Sequence, residues 1–278
     1  MKTLLKRMTM PGWLSLAGMI IVLVIALLAP LIAPNNPMDT SPERILKELD
    51  GYPMGCDQMG QCFLSRLIYG ARLSLLIGFA SRFAALIIGL SVGMCAGYFG
   101  GKIDWLLMRV VDMFLAFPSL LLSIAVSMAM GSGMGTVVFA IAIVGWAEMA
   151  RIIRAATLEL RSAEYVVAAR TLGASHLRII LTHILPNCLP LITVIFTMGI
   201  ATAVLSEASL SFLGLGLVGE PSWGQMLDQA VKSSSFNWWM AAFPGGAIFL
   251  TVFAYNLIGE AFRDAIDPKL SRSAGVGS

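Results

Sequence analysis

Six hydrophobic runs, separated by polar or turn-forming residues, constrain this chain more than any other feature. They fall near 13–33, 74–98, 112–131, 135–150, 188–206 and 239–259. Crossing about 30 Å of hydrocarbon takes roughly 20 helical residues at 1.5 Å each. The fourth run is the shortest, cut off by Glu148 and Arg151. The runs are continuous rather than alternating, and lipid offers backbone groups no hydrogen-bonding partner, so helices are expected rather than a barrel. With 58% hydrophobic and 13% charged residues and a mean hydropathy of +0.82, the 278-residue chain lies outside the range of soluble domains. An all-α polytopic membrane protein with six transmembrane helices is expected.

Lys2, Lys6 and Arg7 precede the first run, as in a signal peptide. That run is too long for a signal core, and Pro30 and Pro34 sit where a cleavage site needs small residues, so a retained signal-anchor helix is expected. Basic residues set the orientation. With the N-terminus inside, Lys2, Lys6, Arg7, Lys102, Arg109, Arg151, Arg154, Arg161, Arg170, Arg178, Arg263, Lys269 and Arg272 are cytoplasmic, against Arg44, Lys47, Arg66, Arg72 and Lys232 outside. This asymmetry fits both termini being cytoplasmic. It also accounts for the net charge of +3 without nucleic acid as a partner. Trp13, Trp105, Trp146, Trp238 and Trp239 fall near span ends, where an amphipathic ring prefers the membrane interface.

Two polar segments interrupt the pattern. The outer one, 35–73, holds turn formers and then an amphipathic stretch, 62–75. There Phe63, Leu67, Ile68 and Leu75 can face lipid or a partner while Arg66 and Arg72 snorkel to water, which predicts a helix lying along the membrane. The cytoplasmic one, 151–187, reads as helix (152–172), break at Gly173, and helix (177–185) ending at Pro186. A projecting helix-turn-helix must bury its apolar face on its own bundle or on a soluble partner. Within the second run Gly89, Gly93 and Gly97 recur every four residues and form one stripe that allows close backbone approach. Static packing is the simpler account, and a sliding or gating face is the functional one. Pro118 and Pro244, each after Phe, bend spans or widen a groove.

The chemistry of an enzyme is missing from the sequence. No G-x-x-x-x-G-K-[ST] loop occurs, since Gly100, Gly101 and Lys102 are followed by Ile103, so any ATP must bind a separate subunit. His176 and His183 lie seven residues apart without nearby cysteines, which disfavours zinc. Ionisable groups in the apolar stretches are few: Arg82 in the second span, with Asp112, Glu148 and Glu207 near span ends. Arg82 and Glu207 are the pore candidates. The outer loop carries a sulfur cluster, Met54, Cys56, Met59 and Cys62. Cys56 and Cys62 can hold a soft metal ion transiently, form a disulfide, or pack in a turn. Cys95 and Cys188 fall in spans as packing residues.

The cytoplasmic segment, with Glu164, Tyr165, Val166, Val167, Ala168, Ala169, Arg170, Thr171, Leu172 and Gly173 followed by His183, Pro186 and Asn187, resembles the EAA loop of binding-protein-dependent ABC importer permeases. The stretches 55–75, 96–101, 109–118, 207–216, 221–224 and 256–268 resemble the dipeptide/oligopeptide/nickel branch, in its second-permease (C) type, so that the likeness runs from the first span to Pro268.

The resemblance implies a MetI-like permease core over 74–270, preceded by a tail and first span (1–34) and followed by a tail (271–278). It also implies docking of an ATPase through Glu164, Ala168, Ala169, Arg170, Gly173 and Pro186. The implied partners are a second homologous permease, two ATPase domains, a solute-binding protein and membrane lipid. No cofactor is bound by this chain, and ATP and Mg belong to the ATPase. Val167 departs from the usual loop glutamate. Cys56, Gln61 and Cys62 stand where the peptide-type pattern has Thr, Arg and Asp, a shift toward sulfur that tilts the expected cargo from peptides toward nickel or a metal chelate. The rival functions are a secondary carrier or channel without an ATPase, and a membrane scaffold.

Overall fold

The computed structural model describes residues 10–44, 51–217, 219–233 and 237–266. The sequence expectations for Lys2, Lys6, Arg7, Lys47, Lys269, Arg272 and the tail 271–278 lie outside these residues. The main helices are α1 (Met10–Leu27), α2 (Phe63–Phe99), α3 (Gly101–Leu115), α4 (Ser119–Met130), α5 (Met134–Arg161), α6 (Glu164–Thr171), α7 (His176–Phe212), α8 (Trp223–Lys232) and α9 (Trp238–Ile266). Among the described residues α2, α5, α7 and α9 are each long and apolar enough to cross a bilayer. The bent α3–α4 pair makes a fifth if it is counted as one span, and α1 adds a shorter apolar stretch, Ser15–Leu27.

Several boundaries depart from the sequence expectation. The third span, expected over 112–131, is two helices that meet at 86°. Pro118 has no N–H to continue the α3 ladder and disfavours helical geometry at Phe117, so the chain extends there before α4 starts. The stretch 62–75 is not a separate interfacial helix. It is the first part of α2, whose 37 residues form one rod, about 55 Å long at 1.5 Å per residue. Phe63, Ile68 and Leu75 are consequently buried in the bundle rather than turned to lipid.

Arg66 does not snorkel to water. It is 3% exposed, ion-paired with Asp57 and hydrogen-bonded to Gln61. Asp57 in turn accepts from the backbone N–H groups of Met59 and Gln61, both at 2.9 Å. The turn 57–61 is thus tied to α2 by a closed polar knot.

The fourth span is longer than its apolar run implied, because α5 continues through Glu148, Arg151 and Arg154 to Arg161. Two of the charges it carries are met by α3: Arg154 grips Asp104 with two N–H groups, and Arg151 reaches Asp112 at 2.6 Å. The projecting segment therefore begins with α6, not at residue 152.

Pro186, expected to end one helix and restart another, lies within continuous α7. A π turn over Ile180–Ile184 comes directly before it. Proline removes one N–H and crowds the preceding turn, and a wide turn accommodates both without a break.

The pair α2 and α5 forms the centre of the packing, and the glycine stripe is the reason. A Cβ at Gly89 would lie 2.9 Å from the carbonyl oxygen of Trp146. At Gly93 it would lie 2.6 Å from that of Ala150, and at Gly97 2.8 Å from that of Arg154. Three glycines four apart thus face three carbonyls four apart, the register that two close-packed helices share.

At one end of the bundle Phe63, Leu75, Val204, Trp223 and Met240 form a core under α8. There Gly70 admits the Trp223 indole, whose Nε1 donates to the Leu67 carbonyl at 3.0 Å. At the other end Met94, Tyr98, Ile153, Val166, Ile179 and Ile184 pack together.

Candidate functional site

Two sites emerge at different depths, one on the projecting segment and one inside the bundle. The first is built on α6. Val166 is its anchor, fully buried against Ile153, Ile179 and Ile184. With that side held, Glu164, Tyr165, Val167, Ala168 and Leu172 are all exposed. Leu172, at 87% exposure, is a large apolar side chain that the described residues leave uncovered. Ala169 packs partly against the core, and the N–H of Ala174 reaches back to its carbonyl at 3.1 Å.

Gly173 ends the helix with φ +81 and open space where a Cβ would point. The backbone conformation, not the room, demands glycine there. Ser175 then caps α7 by accepting from the Arg178 N–H at 3.4 Å.

Of the docking residues expected from sequence, Glu164, Ala168, Ala169, Arg170 and Gly173 sit together on α6 and its C-terminal turn. Pro186 is exposed but lies ten residues further along α7, beyond the π turn. Arg170, although exposed, lays its guanidinium over the Tyr98 ring, 5.5 Å from the centroid. The Tyr98 hydroxyl meets His176 Nδ1 at 2.9 Å. The end of α2 therefore touches both sides of the projecting hairpin through one aromatic residue. Sequence reasoning missed Tyr98, whose signal is faint: a Tyr between Gly97 and Phe99 at the end of an apolar run.

The second site is a cavity of about 380 Å³ between α2, the α3–α4 elbow, α5 and α7. Arg82, Glu148, Phe117, Ser123, Thr202 and Ser206 are among its lining residues. Arg82 is 7% exposed and donates through Nη2 to the Ile195 carbonyl at 2.8 Å. Its Nε has no acceptor among the described residues. The guanidinium fits between α5 and α7 because both helices carry glycine there. Its Nη1 would lie 3.6 Å from a Cβ at Gly145, and a Cβ at Gly199 would overlap its Nε.

Glu207, the other pore candidate, lies elsewhere. It is 0% exposed and accepts from the Ser211 hydroxyl at 2.7 Å, with Ser74 and Ser222 beside it. Its Oε2 has no hydrogen-bond partner among the described residues. This cluster joins α2, α7 and the entry to α8, under the Trp223 core, and does not line the cavity that contains Arg82.

Cys56 and Cys62 face each other as an antiparallel bridge pair, both 1% exposed. No disulfide joins them. Among the described residues no group of three His, Cys, Asp or Glu side chains is gathered as a metal site would need. A larger cavity, about 740 Å³, opens at this end of the bundle, with Arg72 and Glu220 on its wall.

Residues 85–272 match the model of the family described as binding-protein-dependent transport system inner membrane component. The chain is 40% identical over 262 residues to the dipeptide transport system permease protein DppC of Alkalihalophilus pseudofirmus, covering 92% of this chain and 86% of that protein. It is 41% identical over 271 residues to the di/tripeptide transport system permease protein DppC of Pseudomonas aeruginosa, covering 94% and 89%. Over 265 residues it is 37% identical to the oligopeptide transport system permease protein OppC of Bacillus subtilis, covering 93% and 87%. Among solved structures it is similar to an inward-facing conformation of the MetNI methionine ABC transporter. That match has a TM-score of 0.62 at 20% identity, over 73% of this chain and 98% of the other, and it bears on the fold alone.

Proposed function

Because the chain belongs to the family of binding-protein-dependent transport system inner membrane components, we propose that it is the membrane-spanning permease of an importer for short peptides. The chain is not an enzyme, and ATP is hydrolysed by a separate subunit. The cargo is read from the relatives named for dipeptide, di/tripeptide and oligopeptide transport. The burial of Cys56 and Cys62 favours a packing role for that pair over a nickel site at the pore mouth.

The observation that carries the mechanism is the two-sided character of α6, with Val166 locked into the bundle while Tyr165, Ala168 and Leu172 stand exposed. On this account the exposed side seats in a groove of the ATPase, two copies of which serve this chain and a second permease. Closure of the ATPase pair on ATP pushes α6. The push passes to the membrane through Val166 into the core it shares with α5 and α7, and through Arg170 and His176 to Tyr98 on α2. Ligand-driven change of this kind needs contacts that differ between two states. Here they are those of α6 with the ATPase. The same account places both termini and α6 on the cytoplasmic side and the 57–61 knot, α8 and the larger cavity outside, where a solute-binding protein delivers cargo.

The experiment is ATP hydrolysis by the complete transporter in lipid, with its binding protein, comparing a short-peptide mixture with nickel plus a chelator. Stimulation by peptides alone is expected. Stimulation only by nickel, lost on replacing Cys56 and Cys62, would overturn the peptide cargo.

A further inference from the structure

The cavity at Arg82 carries more than a route through the membrane. A guanidinium this far inside an apolar bundle is costly unless it is paired or put to use. Here it is neither in an ion pair nor fully hydrogen-bonded. Among the described residues one of its five N–H groups is donated, to Ile195, and Nε has no acceptor. Arg82 takes part in none of the ion pairs among the described residues, and neither does Glu148. Yet the Glu148 carboxylate is exposed on the wall of the same cavity. Two opposite charges thus face one space without closing on each other.

The hydroxyls on the α7 wall add a direction. Thr202 donates to the Gly199 carbonyl at 2.9 Å and Ser206 to the Thr202 carbonyl at 2.8 Å. Their donors are used within the helix, so what they offer the cavity is oxygen lone pairs, acceptors for an N–H group. The volume of about 380 Å³ is at the small end of ligand sites, which run to roughly 300–1,000 Å³. A bulky or singly charged ligand suits this space poorly, and a compact molecule with a carboxylate at one end and an ammonium at the other suits it well.

We propose that this cavity is a binding station for zwitterionic short peptides, in which Arg82 takes the α-carboxylate and Glu148, with the Thr202 and Ser206 oxygens, takes the α-ammonium. The proposal rests on the peptide-importer reading and deepens it: the permease itself, and not only its binding protein, selects free termini. Arg82 is held for this task by Ile195 and by the glycine slot at Gly145 and Gly199, which orient a planar fork suited to a carboxylate.

The test is equilibrium binding of radiolabelled L-alanyl-L-alanine to the transporter assembled with its partner permease and ATPase subunits, without the binding protein, in lipid nanodiscs. The C-terminal amide and the N-acetyl form of the dipeptide serve as competitors. The wild type is expected to prefer the free dipeptide by about tenfold or more over either blocked form, as befits a partly buried charge contact. Arg82→Gln should erase the preference for a free carboxylate and leave that for a free amine, and Glu148→Gln should do the reverse. Should Arg82→Gln not assemble, Arg82→Lys serves the same arm, with the carboxylate preference expected to weaken. Variants that keep both preferences, or a wild type that shows neither, overturn the station. Uptake of the same dipeptide by wild-type proteoliposomes with ATP and binding protein separates the two failures. Import without the preferences sinks the station alone, and absence of import sinks the importer reading.

Discussion

Gly93 on α2 and the carbonyl oxygen of Ala150 on α5 are so close that a Cβ on the glycine would lie 2.6 Å from that oxygen. Backbone faces backbone there, and no rotamer change can relieve the contact. Gly93→Ala should cost about 1–3 kcal/mol through overpacking, and Gly93→Leu should separate the helices outright. Thermal unfolding of the purified permease in detergent checks this. An unchanged midpoint for the leucine variant would mean that the two helices do not meet along the stripe.

Asp57 and Arg66 form an ion pair that solvent scarcely reaches. Removing one partner leaves the other charge stranded. Asp57→Ala should therefore destabilise by about 3–5 kcal/mol, more than Asp228→Ala, which breaks only a 2.8 Å pair with the exposed Lys232. Protease resistance of the 51–66 region in membrane vesicles reports the difference, and equal resistance in the two variants would contradict it.

Gly173 sits at φ +81 with nothing near its missing side chain. A β-branched residue there meets strain of about 1–2 kcal/mol from its own backbone, and the hairpin relieves it by changing the angle at which α6 is presented. Gly173→Val should abolish peptide-stimulated ATP hydrolysis while the permease reaches the membrane at normal levels. Gly173→Asn, which tolerates this conformation, should retain most of the stimulation. Full stimulation in the valine variant would remove α6 from the coupling path.

Tyr98 carries the contact between α2 and the hairpin on both its ring and its hydroxyl. Tyr98→Phe loses the 2.9 Å bond to His176 and should cost about 1 kcal/mol with reduced coupling. Tyr98→Ala removes the surface under Arg170 as well and should uncouple more severely. The ratio of peptide transported to ATP hydrolysed in proteoliposomes measures this, and an unchanged ratio in both variants would exclude Tyr98 from the path.

Much of this molecule can be read from its sequence, because membranes make local pattern decisive. The long apolar runs, the Gly89, Gly93 and Gly97 stripe and the α6 segment each signal themselves within a few residues of chain. What escapes are the features set by distant partners. Arg66 looks like a snorkelling residue until the turn 57–61 folds back over it. Arg154 and Asp104 are 50 residues apart, so their pairing and the extension of α5 that it supports leave no local mark. Pro186 reads as a helix end because the usual penalty for an interior proline assumes a regular helix on its N-terminal side, which the Ile180–Ile184 turn is not. The cavity at Arg82 needs glycines from two other helices, Gly145 and Gly199, whose alignment only the packed bundle shows.

That same turn at Ile180–Ile184 has a geometric consequence for α7. It contains one residue more than a regular turn, so side chains before and after it are out of phase by about 100°. The hairpin end of the helix and its membrane part can therefore present residues to one core that a regular helix would turn apart. Ile179 ahead of the turn and Cys188 behind it lie in one core, although nine residues of regular helix would set them on opposite faces. The extra residue acts as an angular offset between the part of the helix that is pushed and the part that lines the path. Deleting one residue between 180 and 184 would cancel the offset and swing the α6 hairpin about a third of a turn around the bundle.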